Sequence, residues 1–273
     1  MERRTFIKNA GIASSILAVS PLLVNCQTSS DESFPLMDLH VHLTDTFTIE
    51  HLMEISERTN VQFGIVENPG EKVHDDKSLI KFIDNLTQYP VYVGLQPMSP
   101  GWSSFFSQEV ISKLDYILMD PQTVPHGNGY NETLYIWNYD TYVNDTEMFM
   151  KAYMERTLRV INNDEPLTTL GWPLFLPVCI ARDYYNLWTE ERMQQIISAA
   201  KSKNINIEIN DLAHTPHERF IIMAKEQGLK FTFGSDTRDK KAGRLDYCKQ
   251  IAKKCKLTKD DFFIPDRQLK DLK

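Results

Sequence analysis

From Leu36 onward, short apolar runs alternate with amphipathic stretches, and that alternation sets the fold class. Seven runs read as strands: LMDLHVH (36–42), QFGIVEN (62–68), VYVGLQP (91–97), YILMD (116–120), PLFLPVCIA (173–181), INIEIND (205–211) and KFTFGSD (230–236). Between them TIEHLMEISERT, KSLIKFIDNLTQ, TEERMQQIISAAKS, PHERFIIMAKEQG and RLDYCKQIAKKC place apolar residues near i, i+3, i+4 and i+7, the helical spacing. Thr189 followed by Glu190 and Glu191 predicts a helix start, and Gly228 a helix end. Strands alternating with helices imply a parallel α/β sheet, which either closes into a barrel or stays open and doubly wound. No glycine-rich phosphate turn follows the first strand, where His40 and His42 stand instead, and this favours a barrel.

One barrel domain is expected over residues 34–273, interrupted after the fourth strand by the aromatic segment 121–145, PQTVPHGNGYNETLYIWNYDTYVND. That segment is long for a βα connection and predicts either a lid over the barrel mouth or a packed excursion with its own small cluster. Residues 1–33 read as an export signal and tether. Arg3 and Arg4 precede an apolar run from Ile12 to Val24 that is short for a bilayer span, and Cys26 within LLVNC stands where a lipobox cysteine would be lipidated. The expectation is an exported bacterial protein, periplasmic or anchored to the cell envelope through Cys26.

With 30 Lys and Arg against 37 Asp and Glu, the formal net charge is -7 and no long basic run occurs. A nucleic-acid partner is therefore not expected. Cys248 and Cys255 lie seven apart in a helical pattern, about 10 Å at 1.5 Å per residue, too far for a disulfide.

Residues i and i+2 of a strand point to one side, so His40 and His42 can converge on one ion from inside a barrel. Barrel chemistry collects at the C-terminal ends of the strands. Those ends carry His40 and His42, Glu67, Gln96, Asp120, Cys179, Glu208 with Asn210 and Asp211, and Asp236. Buried carboxylates cost several kcal/mol each unless paired or on a metal, so the set points to a divalent-metal site, with Zn, Mn or Fe compatible with its N and O donors.

DLHVH at the first strand, LDYILMD, INIEIND and AKEQGLKFTFGSD together resemble the polymerase and histidinol phosphatase (PHP) superfamily of metal-dependent phosphoesterases. The resemblance spans nearly the whole chain after residue 33 and implies a distorted, TIM-like (β/α)7 barrel with up to three divalent metals. It assigns His40, His42 and Asp236 to metal positions, adds Glu67, and gives His126 the histidine place after the fourth strand. Elsewhere the pattern has changed: VEN (66–68) stands for a ligand triplet, Gln96 for Glu, Cys179 for His, and Arg238 for the last histidine. A reduced, mono- or dinuclear centre follows. Glu67, Asp120 or Glu208 would act as general base, and Arg182 and Arg238 would neutralise charge on a small anionic substrate. His214 could reach the same substrate from the loop after the sixth strand. The amidohydrolase barrels share the HxH and the final Asp, so C–N or lactone hydrolysis is the alternative; a barrel that binds a ligand without turnover is the second.

Overall fold

A computed structural model describes residues 34–129 and 132–267. The export signal and Cys26 lie outside the described residues. Seven parallel strands form one sheet in the order β1 (Met37–Val41), β2 (Gln62–Glu67), β3 (Tyr92–Leu95), β4 (Tyr116–Met119), β7 (Thr169–Leu170), β8 (Asn206–Asn210) and β9 (Phe231–Gly234). Each strand pairs with the next strand of this sheet in sequence, so there is no point of reversal, and the sheet curls into a nearly closed barrel. The seam between β1 and β9 is held by His42 N donating to Thr237 O at 3.0 Å and by an isolated bridge from Val41 to Thr237. Asp38 fastens it further, accepting from Ser235 N (2.9 Å) and Gly243 N (3.0 Å).

The five expected helices are present as α1 (Ile49–Thr59), α2 (Asp76–Thr87), α6 (Glu190–Ser202), α7 (Glu218–Glu226) and α8 (Asp246–Lys254). Thr189 caps α6 by accepting from Arg192 N, and Gly228 follows α7 with φ +79. Two short helices, α3 (Gln108–Ile111) and α5 (Tyr184–Leu187), and a 17-residue helix, α4 (Thr146–Asn162), were not evident from spacing. The apolar face of α4 is broken by Arg156, which is buried and donates to Met98 O, Ser99 Oγ and Thr123 Oγ1.

The fifth barrel strand is also displaced from expectation. PLFLPVCIA (173–181) is irregular, and the strand is the two-residue β7 just before it. Pro173 and Pro177 have no N–H to give a ladder, which disqualifies that run as a central strand. Cys179 is exposed there as a free thiol, while Cys248 and Cys255 are buried free thiols.

Strand residues divide between two apolar layers. Phe63, Ile65, Val93, Leu95, Ile117, Met119, Ile207, Ile209, Phe231 and Phe233 pack outward with the helices. Met37, Leu39, Val66, Tyr92, Tyr116 and Leu118 form a separate cluster that fills the barrel floor. Tyr116 lies across Gly64 and Gly94, where any Cβ would collide with its ring or hydroxyl. The absence of side chains at those two positions makes room for the phenol. Segment 121–145 forms a small antiparallel hairpin, β5 (Thr123–Pro125) with β6 (Thr133–Tyr135), whose Val124 and Leu134 join the core.

Candidate metal centre

On strict alternation, β1 could not place Met37 and Leu39 in the floor and also turn His40 and His42 inward. The pairing of β1 with β2 breaks register between Asp38 and Val41, and the break shifts the phase by one residue. Below it Met37 and Leu39 face the floor; above it His40 and His42 face the mouth while Val41 packs outward. Tyr116 Oη donates to Leu39 O at 2.7 Å inside the irregular stretch.

Both imidazole Nε2 atoms are buried without a hydrogen-bond partner. They approach one carboxylate oxygen, Asp236 Oδ1, at 3.4 Å (His40) and 3.6 Å (His42). One ligand atom from each of the three residues falls within 4.8 Å of the others. A tetrahedral ion with ligand bonds of 2.0–2.2 Å has ligand-to-ligand edges of about 3.3–3.6 Å. Two orphaned lone-pair donors and a carboxylate oxygen at that spacing fit a divalent cation.

The surroundings hold the three ligands in place. Asp236 follows β9 with φ +46, and its Oδ2 accepts from Trp172 Nε1 at 3.0 Å. Glu208, on β8 and fully buried, accepts from His40 Nδ1 at 2.6 Å through Oε1 and from Trp172 N (2.7 Å) and Asn210 Nδ2 (3.1 Å) through Oε2. A carboxylate behind one ring nitrogen fixes the imidazole so that the other nitrogen faces the ion. Gly234 leaves space for this pair, since a Cβ there would strike Glu208 Oε1 and His40 Cβ.

Charge is balanced tightly. Burial disfavours a charged His40, but Asp236 and Glu208 outweigh it and lift its pKa to about 9. Burial, with the neighbouring charges of His40 and Arg238, drives His42 down to about 3. One imidazole therefore holds a proton among carboxylates and the other keeps a free lone pair. The carboxylates that stabilise this proton would equally favour a divalent ion in its place.

The β2–β4 side of the mouth is built from amides. Asn68 Nδ2 donates to Gln96 O (2.8 Å) and Oε1 (3.2 Å), and Gln96 Nε2 donates to Asp120 Oδ2 (3.0 Å). Asp120 Oδ1 accepts from Gln122 N at 3.1 Å. Burial raises the Asp120 pKa to about 6 against these hydrogen bonds. A cavity of ≈ 400 Å³ joins the two sides, lined by Asn68, Gln96, Met98, Asp120, Gln122, Trp137, Trp172, Leu212, Asp236 and Arg238.

Of the residues singled out by sequence, His40, His42, Asp236, Glu208, Asp120 and Arg238 gather here. Glu208 stands behind His40 and, unlike Asp120, is not among the residues lining the cavity, which makes it an orienting part rather than a base facing the cavity. Arg238 is half exposed and its Nη1 donates to Asp236 Oδ1 at 2.7 Å, the same oxygen that faces both imidazoles. Glu67 lies to one side, bonded to Asn68 N and 3.9 Å from Lys72 Nζ. His126 is exposed on the hairpin turn with φ +58. Arg182 points into solvent beside Asp183, and the exposed His214 stacks on Tyr247 at 4.8 Å. None of these four has a ligand atom in the His40, His42 and Asp236 group. Sequence reading missed Trp172, which ties Asp236 to Glu208, and Asp38, which closes the seam. The Gly171–Trp172 pair ending a very short strand was the only mark of the first.

No family model matches the sequence, and no curated protein matches it. Among solved structures, a histidinol phosphate phosphatase from Lactococcus lactis subsp. lactis Il1403, complexed with Zn, L-histidinol and phosphate, is similar with a TM-score of 0.54. Identity is 15%, over 80% of this chain and 93% of that one. The likeness is one of fold: the chain, like that phosphatase, is a seven-stranded, nearly closed parallel α/β barrel.

Proposed function

We propose that this chain is a metal-dependent hydrolase of a small anionic substrate, with a phosphoester as the bond broken. The observation that carries the reading is the convergence of two orphaned Nε2 atoms and Asp236 Oδ1 beneath a cavity whose rim bears Arg238. The phosphate and Zn bound by the similar phosphatase support it. His40, His42 and Asp236 would hold the ion, which when bound would acidify a water to a pKa of about 7.

The chain's own residues do the rest. Glu208 keeps the His40 Nδ1 proton and so points Nε2 at the site. Asp120, buried and with a pKa near 6, is ionised at neutral pH and accepts the proton of the attacking water. Arg238 neutralises charge on the anion as it develops, at the open end of the cavity. Metal analysis of chelator-free protein tests the reading: one tightly held divalent ion, lost on combining His40→Ala with Asp236→Ala, is expected. No ion in the wild type would overturn it. Hydrolysis of amides or lactones but not of phosphomonoesters would transfer the chemistry to a different bond.

The same proposal takes Arg3, Arg4 and Cys26 as export and lipid-attachment signals. Fatty-acid labelling that disappears in Cys26→Ser is the expected result, and a cytoplasmic, unlabelled protein would refute it.

A further inference from the structure

Beside its amides and charged groups the cavity has an apolar part to its lining, Trp137, Trp172, Met98 and Leu212, which bears on what the anion is attached to. Trp172 is nearly buried, and its indole N–H is bound to Asp236, so its ring lies beside the candidate metal ligand rather than at a remote rim. Trp137 stands just after the β5–β6 hairpin, 38% exposed, and Leu212 is 62% exposed after β8. Large apolar groups held in water at a cavity mouth gain by being covered.

Among the described lining residues the carboxylates are Asp120 and Asp236. Asp236 accepts from Arg238, whereas Asp120 accepts from the neutral donors of Gln96 and Gln122. The lining charges therefore do not select against an ammonium group, and the apolar residues are what distinguish this cavity. At ≈ 400 Å³ the cavity is near the small end of ligand pockets, which run from about 300 to 1,000 Å³.

Resting on the hydrolase reading above, we infer that the substrate's leaving group is flat and apolar, an aryl or arylalkyl alcohol, and that Trp137 selects it. Aromatic contacts of this kind strengthen binding roughly two- to tenfold each.

Phosphonates, which resist hydrolysis, test this without bias from leaving-group reactivity. Calorimetric titration of Zn2+-loaded protein with methylphosphonate, 2-aminoethylphosphonate and 1-naphthylmethylphosphonate is expected to give at least tenfold tighter binding of the naphthyl compound. The aminoethyl compound, which has no ring to lay on the tryptophans, should bind more weakly than the naphthyl one. Trp137→Ala should collapse the naphthyl-to-methyl ratio to about threefold or less, and Trp137→Phe should restore most of it. Equal affinities, a preference for the aminoethyl compound, or an undiminished ratio in Trp137→Ala would overturn the inference while leaving an anion-binding metal site. Failure of every phosphonate to bind the metal-loaded protein would overturn both.

Discussion

The two sides of the barrel mouth are built from similar strand ends and do opposite things. On the β1, β8 and β9 side, His40, His42, Glu208 and Asp236 crowd together with two nitrogens unspent. On the β2, β3 and β4 side, Asn68, Gln96 and Asp120 form a chain in which each amide is already donating. The first side has the unspent donors that a cation could use. The second is satisfied by its own hydrogen bonds, and neutral amides give a second divalent ion little to hold. On the proposed reading this asymmetry favours a single ion, with Arg238 as the additional positive charge.

Four substitutions sharpen the contrast, in falling order of effect. His40→Ala or Asp236→Asn should weaken divalent-metal binding by more than about a hundredfold, beyond the range found for residues that only support ligands. Wild-type metal retention after dialysis against a chelator would break the assignment of that side. Glu208→Gln should cost about 10- to 100-fold in metal affinity, since it removes the charge behind His40 Nδ1 but preserves shape. An unchanged affinity would mean that Glu208 only fills space.

Arg238→Ala acts in the other direction. Its guanidinium competes for Asp236 Oδ1, and a half-exposed pair of this kind is worth about 0.2–1 kcal/mol. Metal binding should tighten by about two- to fivefold while sulfate binding to the loaded protein weakens; a loss of metal affinity would show that Arg238 supports the centre instead. Gln96→Ala, on the amide side, should shift metal affinity by less than about threefold, within the reach of one neutral hydrogen bond. A larger loss would give that side a direct part in holding the ion.

Much of the charged side was legible in the sequence because its information is local. Two histidines two apart on a strand share a face, and carboxylates at the ends of β4, β8 and β9 collect at one end of a parallel barrel. What sequence could not supply depends on length and reach. A strand of two residues has no period, so β7 and the Trp172 that follows it were hidden behind the more apolar PLFLPVCIA. The buried Arg156 disguised α4 as polar. Glu67, His126, Arg182 and His214 are reasonable chemistries on nearby loops, but no pattern in the chain fixes where a loop side chain points. The amides at Asn68 and Gln96 read as lost ligands; the structure shows them as a connected network with partners of its own.

The seam that Asp38 closes carries a consequence for the order of assembly. Asp38 bonds residues 197 and 205 positions downstream, and His40 bonds Glu208 at a separation of 168. Contacts so distant in sequence are the slow part of folding, because the intervening chain must be ordered before they repay its entropy. A nascent chain that has emerged only as far as β8 has both histidines but neither Asp236 nor the closing strand. The candidate ion-binding triad is thus a product of completed synthesis, and a chain cut short before β9 would be an open sheet whose polar mouth has nothing to converge on.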